Sequence, residues 1–174
     1  LNFPANNVFN TTPYIALPSG IISDRGDLTI DMWCGMYEAK AWARFFDFGS
    51  SGKGADAHNN GNGITSLEFS GLQGGQTTPG FQCTIPNGNT YVLGAAPFPL
   101  GTEQHVTLVY SYNQNVIKVY INGTLANSGS PLGTLQTLDD QNVWIGQSQW
   151  QDPILNGWIS EFRIYEGAFT DADA

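Results

Sequence analysis

Apolar and polar residues alternate along many short segments of this sequence. Every second residue is apolar in "LTIDMWC" at 28–34, in "HVTLVY" at 105–110 and in "IKVYI" at 117–121. Because successive side chains of a strand point to opposite faces, this period of two predicts strands that bury one face. Clusters of turn-forming residues such as "HNNGNG" and "PNGN" separate these segments. The sequence therefore predicts about twelve short strands and almost no helix.

The clearest turn lies in "IKVYINGTLANSG", residues 117–129. Asn122-Gly123 stands there between two apolar runs. A two-residue type I′ turn needs positive φ at both central positions, and Asn and Gly adopt it most readily. We therefore expect a tight β-hairpin centred on this pair.

Strands that are apolar on one face must bury that face against a second layer. Two antiparallel sheets packed face to face accommodate many such strands, so we predict an all-β jelly-roll sandwich forming one domain over 1–174. A chain of 174 residues can bury a core of its own without metal or disulfide crosslinks. Cys34 and Cys83 both fall on apolar phases, which fits either two buried thiols or one disulfide.

Charge and composition restrict the possible partners. The net charge is −9 and only 12% of residues are charged, so the sequence has no basic stripe for nucleic acid or anionic membranes. No apolar run approaches the ~18 residues that a membrane span needs. Aromatic residues make up 13% of the chain, and many stand beside Asn, Gln, Gly and Thr. This composition favours an uncharged ligand.

Several segments resemble laminin-G-like domains, which are concanavalin A-like jelly rolls. "VYINGTLA" is similar to the Tyr-Val-Asn-Gly hairpin of that family, and "GWISEFRIYEGAFTDADA" is similar to its closing strand and helix cap. The resemblance covers about residues 2–174. Ser160 stands where the family usually has Asp, and Gln104 where a Trp often precedes the His that matches His105. The resemblance implies the fold and a secreted module, but lectins, adhesion modules and glycan-cleaving enzymes share this fold.

The sequence offers no pair of catalytic acids. Glycoside hydrolysis needs two carboxylates about 5–10 Å apart. Asp31 and Asp47 each stand alone within their predicted strands, and Glu161 and Glu166 point to opposite faces of a straight strand. The sequence lacks the Glu-x-Asp-x-(x)-Glu motif of related hydrolases and the Gln-x-His strand of related lyases. We therefore predict no catalytic residues.

The resembled family often holds one Ca²⁺ at the rim of the sandwich, and acidic turns could supply carboxylate and carbonyl oxygens for it. Asp residues in turns also commonly accept hydrogen bonds from backbone amides, and this role is the alternative to calcium binding. The candidate calcium ligands are Asp24, Asp27, Asp139, Asp140 and Glu161.

Sugar binding is predicted from aromatic residues that stand among amides. Pyranose rings present C–H groups that stack on Trp, while Asn, Gln and Asp bind the hydroxyls. "GQSQWQD" combines these residue types around Trp150, and "DAHNNGNG" forms a loop long enough to overhang a groove. The candidate ligand-binding residues are Trp150, Gln149, Gln151, Asp152, Trp42, Asp56, His58 and Asn60.

These observations favour a non-catalytic carbohydrate-binding module that binds a polysaccharide or glycan. We expect it to be secreted, as part of a longer protein that includes a polysaccharide-degrading enzyme. An adhesion module that binds a protein partner is the alternative. A glycan hydrolase or lyase is the third possibility.

Overall fold

The computed structural model describes residues 1–3, 14–58 and 65–174. This part of the chain forms twelve strands and one short 3₁₀ helix, Leu135–Thr137. None of its helices has the length and apolarity to cross a membrane. The strands are β1 (Asn2–Phe3), β2 (Ile15–Leu17), β3 (Asp27–Met36), β4 (Arg44–Ser50), β5 (Thr65–Ser70), β6 (Gly80–Ile85), β7 (Gly88–Leu93), β8 (Gln104–Ser111), β9 (Val116–Ile121), β10 (Thr124–Gly129), β11 (Asn142–Ile145) and β12 (Gly157–Glu166).

The strands form two sheets of six, and every pairing between neighbouring strands is antiparallel. The front sheet has the order β2-β11-β4-β5-β6-β7, and the back sheet has the order β1-β12-β3-β8-β9-β10. The prediction of an all-β sandwich with about twelve strands is confirmed.

The inward faces of the two sheets enclose one apolar core. The predicted inward residues Leu28, Ile30 and Met32 of β3 are at most 1% exposed. Phe46 and Phe48 of β4 meet them from the front sheet, and both lie in edge-on contact with Phe162 of β12. The cysteines lie in different sheets, in β3 and β6, and both are buried free thiols.

The predicted hairpin is present between β9 and β10. Asn122 and Gly123 have φ values of 51° and 70°, so both turn positions lie in the left-handed region. Ile121 pairs directly with Thr124 across the turn. The Asn122 side chain also accepts a hydrogen bond from the backbone N–H of His105 at 2.9 Å, which ties the turn to β8.

Strand β4 contains a β-bulge that places Arg44 on the outward face of the front sheet. Its register with β5 shifts between Arg44 and Phe46, because one extra residue, Phe45, is inserted there. Simple alternation would place Arg44 and Asp47 on opposite faces of the strand. The bulge brings them together, with Arg44 Nε 3.3 Å from Asp47 Oδ2.

Candidate functional site

A groove of about 600 Å³ lies on the outward face of the front sheet. This volume is typical of small-molecule sites in proteins. The groove is formed by β4, β6 and β7 together with the loops before β4, before β6 and after β11. Its lining residues are Trp42, Arg44, Gln73, Gly74, Gln76, Gln82, Thr84, Asn89, Tyr91, Leu93, Trp150 and Asp152.

The register of the front sheet explains why polar residues collect beneath this groove. Asp47, Glu68, Gln82 and Tyr91 are direct partners across β4, β5, β6 and β7, so all four share the outward face. Most residues that flank these four along their strands are apolar and face the core, namely Phe46, Phe48, Leu67, Phe69, Phe81, Cys83 and Val92.

Three aromatic rings line the groove. Trp42 is 43% exposed and Tyr91 is 49% exposed, while Trp150 is partly buried. Trp42 adopts φ 61°, and its indole lies directly on Gly74, where a Cβ would come within 1.9 Å of the ring. Trp150 lies over the guanidinium of Arg44, 4.7 Å from Cζ to the ring centroid. Local packing thus positions both indoles.

A chain of amide and hydroxyl groups forms the floor. Gln73 accepts a hydrogen bond from Ser70 Oγ at 2.9 Å and donates to Gln82 Oε1 at 3.1 Å. Gln82 donates in turn to Thr84 Oγ1 at 3.0 Å. These side chains carry no charge, and each hydroxyl or amide can both donate and accept hydrogen bonds. Such a floor suits a ligand rich in hydroxyl groups.

One end of the groove rests on a buried ionic cluster around Arg44, which is 4% exposed. Its guanidinium donates to Glu68 Oε1 at 3.0 Å and to Asp152 Oδ2, and it faces Asp47 at 3.3 Å. Asp47 and Glu68 are at most 1% exposed, whereas Asp152 reaches the groove. Glu68 Oε2 is buried without a hydrogen-bond partner. Three carboxyl groups therefore face one guanidinium.

Burial and neighbouring charge change how this cluster titrates. Burial raises the pKa of Glu68 to about 7, and the attraction of Arg44 only partly opposes it. Burial also raises the pKa of Asp47 against the same attraction. For Arg44, burial would lower the pKa, but the three carboxyl groups outweigh it and raise the pKa. The guanidinium therefore stays charged, while Glu68 takes up a proton near neutral pH.

The loop after β11 connects this cluster to the groove. Gln149 is completely buried and holds Asp47 through its backbone N–H and its side-chain amide, both at 2.9 Å. Ser148 Oγ accepts from Trp150 N at 3.0 Å and donates to Asp152 Oδ2 at 3.1 Å. These contacts fix the turn that presents Trp150 and Asp152.

The structure brings some of the predicted ligand-binding residues together. Trp42, Trp150 and Asp152 line the groove, and Gln149 supports it from below. Gln151 is exposed and does not line the groove. Sequence reasoning missed Arg44, Gln73, Gln76, Gln82, Thr84, Asn89 and Tyr91, which join the groove through strand pairing and loop packing.

The described part of the loop expected to overhang the groove, residues 56–58, does not line the groove. Asp56 donates its backbone N–H to Asn142 Oδ1 at 2.8 Å, and the His58 ring lies 5.0 Å from that of Trp144. Asn142 and Trp144 belong to β11, on the opposite side of β4 from the groove strands β6 and β7. Asn60 lies outside the described residues.

The predicted calcium ligands do not assemble into one site. Asp140 accepts hydrogen bonds from three backbone amides at 20–23, and Asp24 pairs with Arg25. Asp139 accepts a hydrogen bond from Gln141. This pattern matches the alternative in which turn acids satisfy backbone and side-chain donors.

The remaining candidates, Asp27 and Glu161, are also engaged. Burial alone would raise the pKa of Asp27, but hydrogen bonds from Ser111 and Asn113 outweigh it and lower the pKa. Glu161 pairs with Arg163. Within 1–3, 14–58 and 65–174, no three His, Cys, Asp or Glu side chains gather as metal ligands. These residues therefore do not fit one calcium site, and calcium binding stays a prediction.

The outward face of the back sheet carries a second aromatic cluster. Trp33 of β3 is 40% exposed and stacks on His105 of β8 with 4.8 Å between ring centroids. His105 Nε2 lies 2.7 Å from Asp31 Oδ1. Nearby, Tyr37 packs against Trp158, which covers the backbone of Gly35. Trp33 does not line the groove.

Solved structures share this fold at low sequence identity. Domain 4 of AbnA, a GH43 extracellular arabinanase from Geobacillus stearothermophilus in complex with arabinotriose, is 24% identical with a TM-score of 0.71. That match covers 95% of this chain and 72% of the other. The Ruminococcus gnavus IT-sialidase CBM40 bound to α2,3-sialyllactose is 14% identical with a TM-score of 0.68, covering 91% and 92%.

Domains LG4-5 of the mouse laminin α1 chain are 16% identical with a TM-score of 0.63, covering 91% of this chain and 40% of theirs. A search of curated proteins found no match. The family model described as the concanavalin A-like lectin/glucanases superfamily matches residues 9–174. The jelly-roll prediction is thereby confirmed, and the chain belongs to the concanavalin A-like lectin/glucanase superfamily.

Proposed function

We propose that the protein is a non-catalytic carbohydrate-binding module whose ligand lies in the groove of the front sheet. The observation that carries this proposal is the combination of three partly exposed aromatic rings with an uncharged hydrogen-bonding floor. Trp42, Trp150 and Tyr91 would contact the C–H faces of sugar rings. Gln82, Asn89 and the other polar lining groups would bind hydroxyls.

The solved neighbours support a glycan as the ligand class. One was determined with arabinotriose and another with α2,3-sialyllactose. Because both are below 25% identical to this chain, they support the ligand class and not a particular sugar. By the same analogy, we propose that the module is secreted and belongs to a longer polysaccharide-degrading protein.

The geometry of the acids favours binding over cleavage. Asp47 and Glu68 lie under the groove, at most 1% exposed, and both face the Arg44 guanidinium. A general acid must reach the glycosidic oxygen within hydrogen-bonding distance. Asp152, the third acid around Arg44, is the one acid among the described residues that line the groove, so we expect binding without turnover.

Affinity electrophoresis through gels that contain single neutral polysaccharides tests this proposal. We expect at least one polymer to retard the protein, and Trp150→Ala to weaken that binding by about tenfold or more. Trp33→Ala is the matched control, because it removes a partly exposed indole from the opposite sheet, and it should bind normally. The proposed site is wrong if Trp150→Ala binds as well as the unmodified protein.

A protein-binding adhesion module is a second candidate, favoured by the exposed Trp33 and Tyr37 on the back sheet. Exposed aromatic residues are enriched in protein interfaces. This alternative predicts that Trp33→Ala disrupts binding to a protein partner, while no glycan retards the protein in any gel.

A further inference from the structure

We infer that the groove selects uncharged sugars and rejects sugars that carry a carboxylate, an inference that rests on the proposed glycan binding. It follows from the arrangement of charges around one arginine. Neither the fold nor the solved neighbours determine this selectivity, since one of those neighbours holds a sialylated, acidic ligand.

The arginine of the groove is already occupied by the protein's own acids. Of the described residues that line the groove, Arg44 is the sole cation. Its guanidinium is bound by Glu68 and Asp152 and faces Asp47. Further contacts come from Ser148 Oγ at 2.5 Å and from the Trp42 carbonyl at 3.1 Å. The indole of Trp150 covers the group.

Among the described residues of the groove, an acidic sugar would therefore meet no available cation. Carboxylate recognition in proteins typically uses an arginine fork that offers two parallel N–H donors to the ligand. Here that role is taken by carboxylates of the same chain. A ligand carboxylate would have to displace Asp152, which would leave a partly buried charge unpaired.

The remaining charge at the site is negative. Three carboxyl groups surround one guanidinium, so the cluster carries an excess negative charge whenever more than one of the acids is ionised. Arg44, Asp47 and Glu68 are at most 4% exposed, and this burial reduces screening of their charges by salt. The chain as a whole carries −9, so its net charge also disfavours the approach of an anion. An anionic ligand is repelled both at the site and on approach.

Neutral sugars encounter none of these penalties. Their hydroxyls can donate to Asp152 and exchange hydrogen bonds with the amide floor formed by Gln73 and Gln82. The aromatic rings contact the C–H faces irrespective of the charge on the sugar. Selectivity therefore comes from the ionic cluster, and affinity comes from the rings and amides.

The test compares one neutral hexose polysaccharide in three chemical forms, chosen as a polymer that retards the protein in affinity gels. The forms are the native polymer, the same polymer with its C6 hydroxyls oxidised to carboxylates, and the methyl ester of that oxidised polymer. We expect the oxidised form to bind about tenfold more weakly or worse at pH 7.5, and the ester to regain most of the binding.

Two variants locate the source of the selectivity. Asp152→Asn removes the acid that lines the groove, and Glu68→Gln removes a buried one while keeping its shape. Each should reduce the ratio of native to oxidised binding several-fold. Circular dichroism confirms that both variants are folded before their binding is compared.

The outcomes separate the two proposals. If no neutral polysaccharide binds, the proposed function itself fails. The selectivity is overturned, with the function intact, by an oxidised polymer that binds as well as the native one. It is also overturned if the methyl ester binds as poorly as the acid, because size and not charge would then be responsible. An unchanged ratio in both variants would assign the selectivity to another part of the molecule.

Discussion

Trp150 beside the front sheet and Trp33 on the back sheet make similar ring contacts, but the side chains that they contact differ in burial. Each ring lies against a nitrogen-containing side chain that is itself paired with an acid, Arg44 in one case and His105 in the other. The Arg44 side chain is 4% exposed, whereas that of His105 is 23% exposed. On the front sheet, loops rise around the ring and enclose a groove.

The two settings differ in what lies beneath each ring. On the front sheet, the ionic cluster is buried beneath the ring, so it fixes the ring and the loop that carries it. On the back sheet, the contact between His105 and Asp31 lies closer to solvent, where polar contacts between side chains contribute less to stability. The following predictions test this contrast, from the largest expected effect to the smallest.

Arg44→Met should destabilise the protein by about 3–5 kcal/mol, because it leaves buried acids without a partner. His105→Gln on the back sheet should cost about 1 kcal/mol or less, because its contact with Asp31 is partly exposed. Urea denaturation of both variants measures the difference. Equal effects of the two substitutions would contradict the contrast.

The free energy of unfolding should fall as the pH rises from about 5 to about 8. Glu68 has a folded-state pKa of about 7 against an ordinary value of 4.5, so the folded protein holds a proton that the unfolded chain releases in this window. Folding therefore takes up a proton, and a rising pH disfavours it by roughly 1–3 kcal/mol in total. Asp47, whose pKa is also raised, acts in the same direction.

Denaturation curves at several pH values measure this slope, with Glu68→Gln as the control. The variant cannot ionise, so its stability should depend less on pH between about 5 and 8. If its slope equals that of the unmodified protein, Glu68 is not the titrating group.

Gly74→Ala and Gly35→Ala form a matched pair. Each glycine lies under a tryptophan, with a new Cβ falling within 1.9 Å of Trp42 and within 2.2 Å of Trp158. Both indoles must therefore move, but Trp42 alone lines the groove. We expect Gly74→Ala to weaken polysaccharide binding about fivefold, equivalent to about 1 kcal/mol, and Gly35→Ala to leave it unchanged.

A double substitution checks that the effect passes through the ring. In a Trp42→Ala background, Gly74→Ala should cause no further loss of binding, since the displaced side chain is already gone. Additive losses measured by affinity electrophoresis would show that Gly74 acts through another contact.

The fold could be predicted from the sequence because it depends on local patterns. Alternation places Leu28, Ile30 and Met32 on one face whatever strand lies beside them. The Asn122-Gly123 turn likewise follows from the φ preferences of two adjacent residues.

The candidate site could be predicted only in part, because it depends on which strands become neighbours. Trp150 and Asp152 share a loop, so their sequence already suggested a common surface. Glu68 and Gln82 come together through the pairing of β5 with β6, which one sequence does not reveal. Arg44 joins Asp47 through a bulge that breaks the alternation.

The direct test of the central claim is the response of the five tryptophan indole N–H signals to ligand in a ¹H–¹⁵N NMR titration. The ligand is a short soluble fragment of a neutral polysaccharide that retards the protein, and single Trp→Phe variants assign the signals. We expect the signals of Trp42 and Trp150 to shift with increasing ligand while that of Trp33 stays in place. Shifts at Trp33 and Trp158, with Trp42 and Trp150 unmoved, would place the ligand on the back sheet and contradict the proposed site.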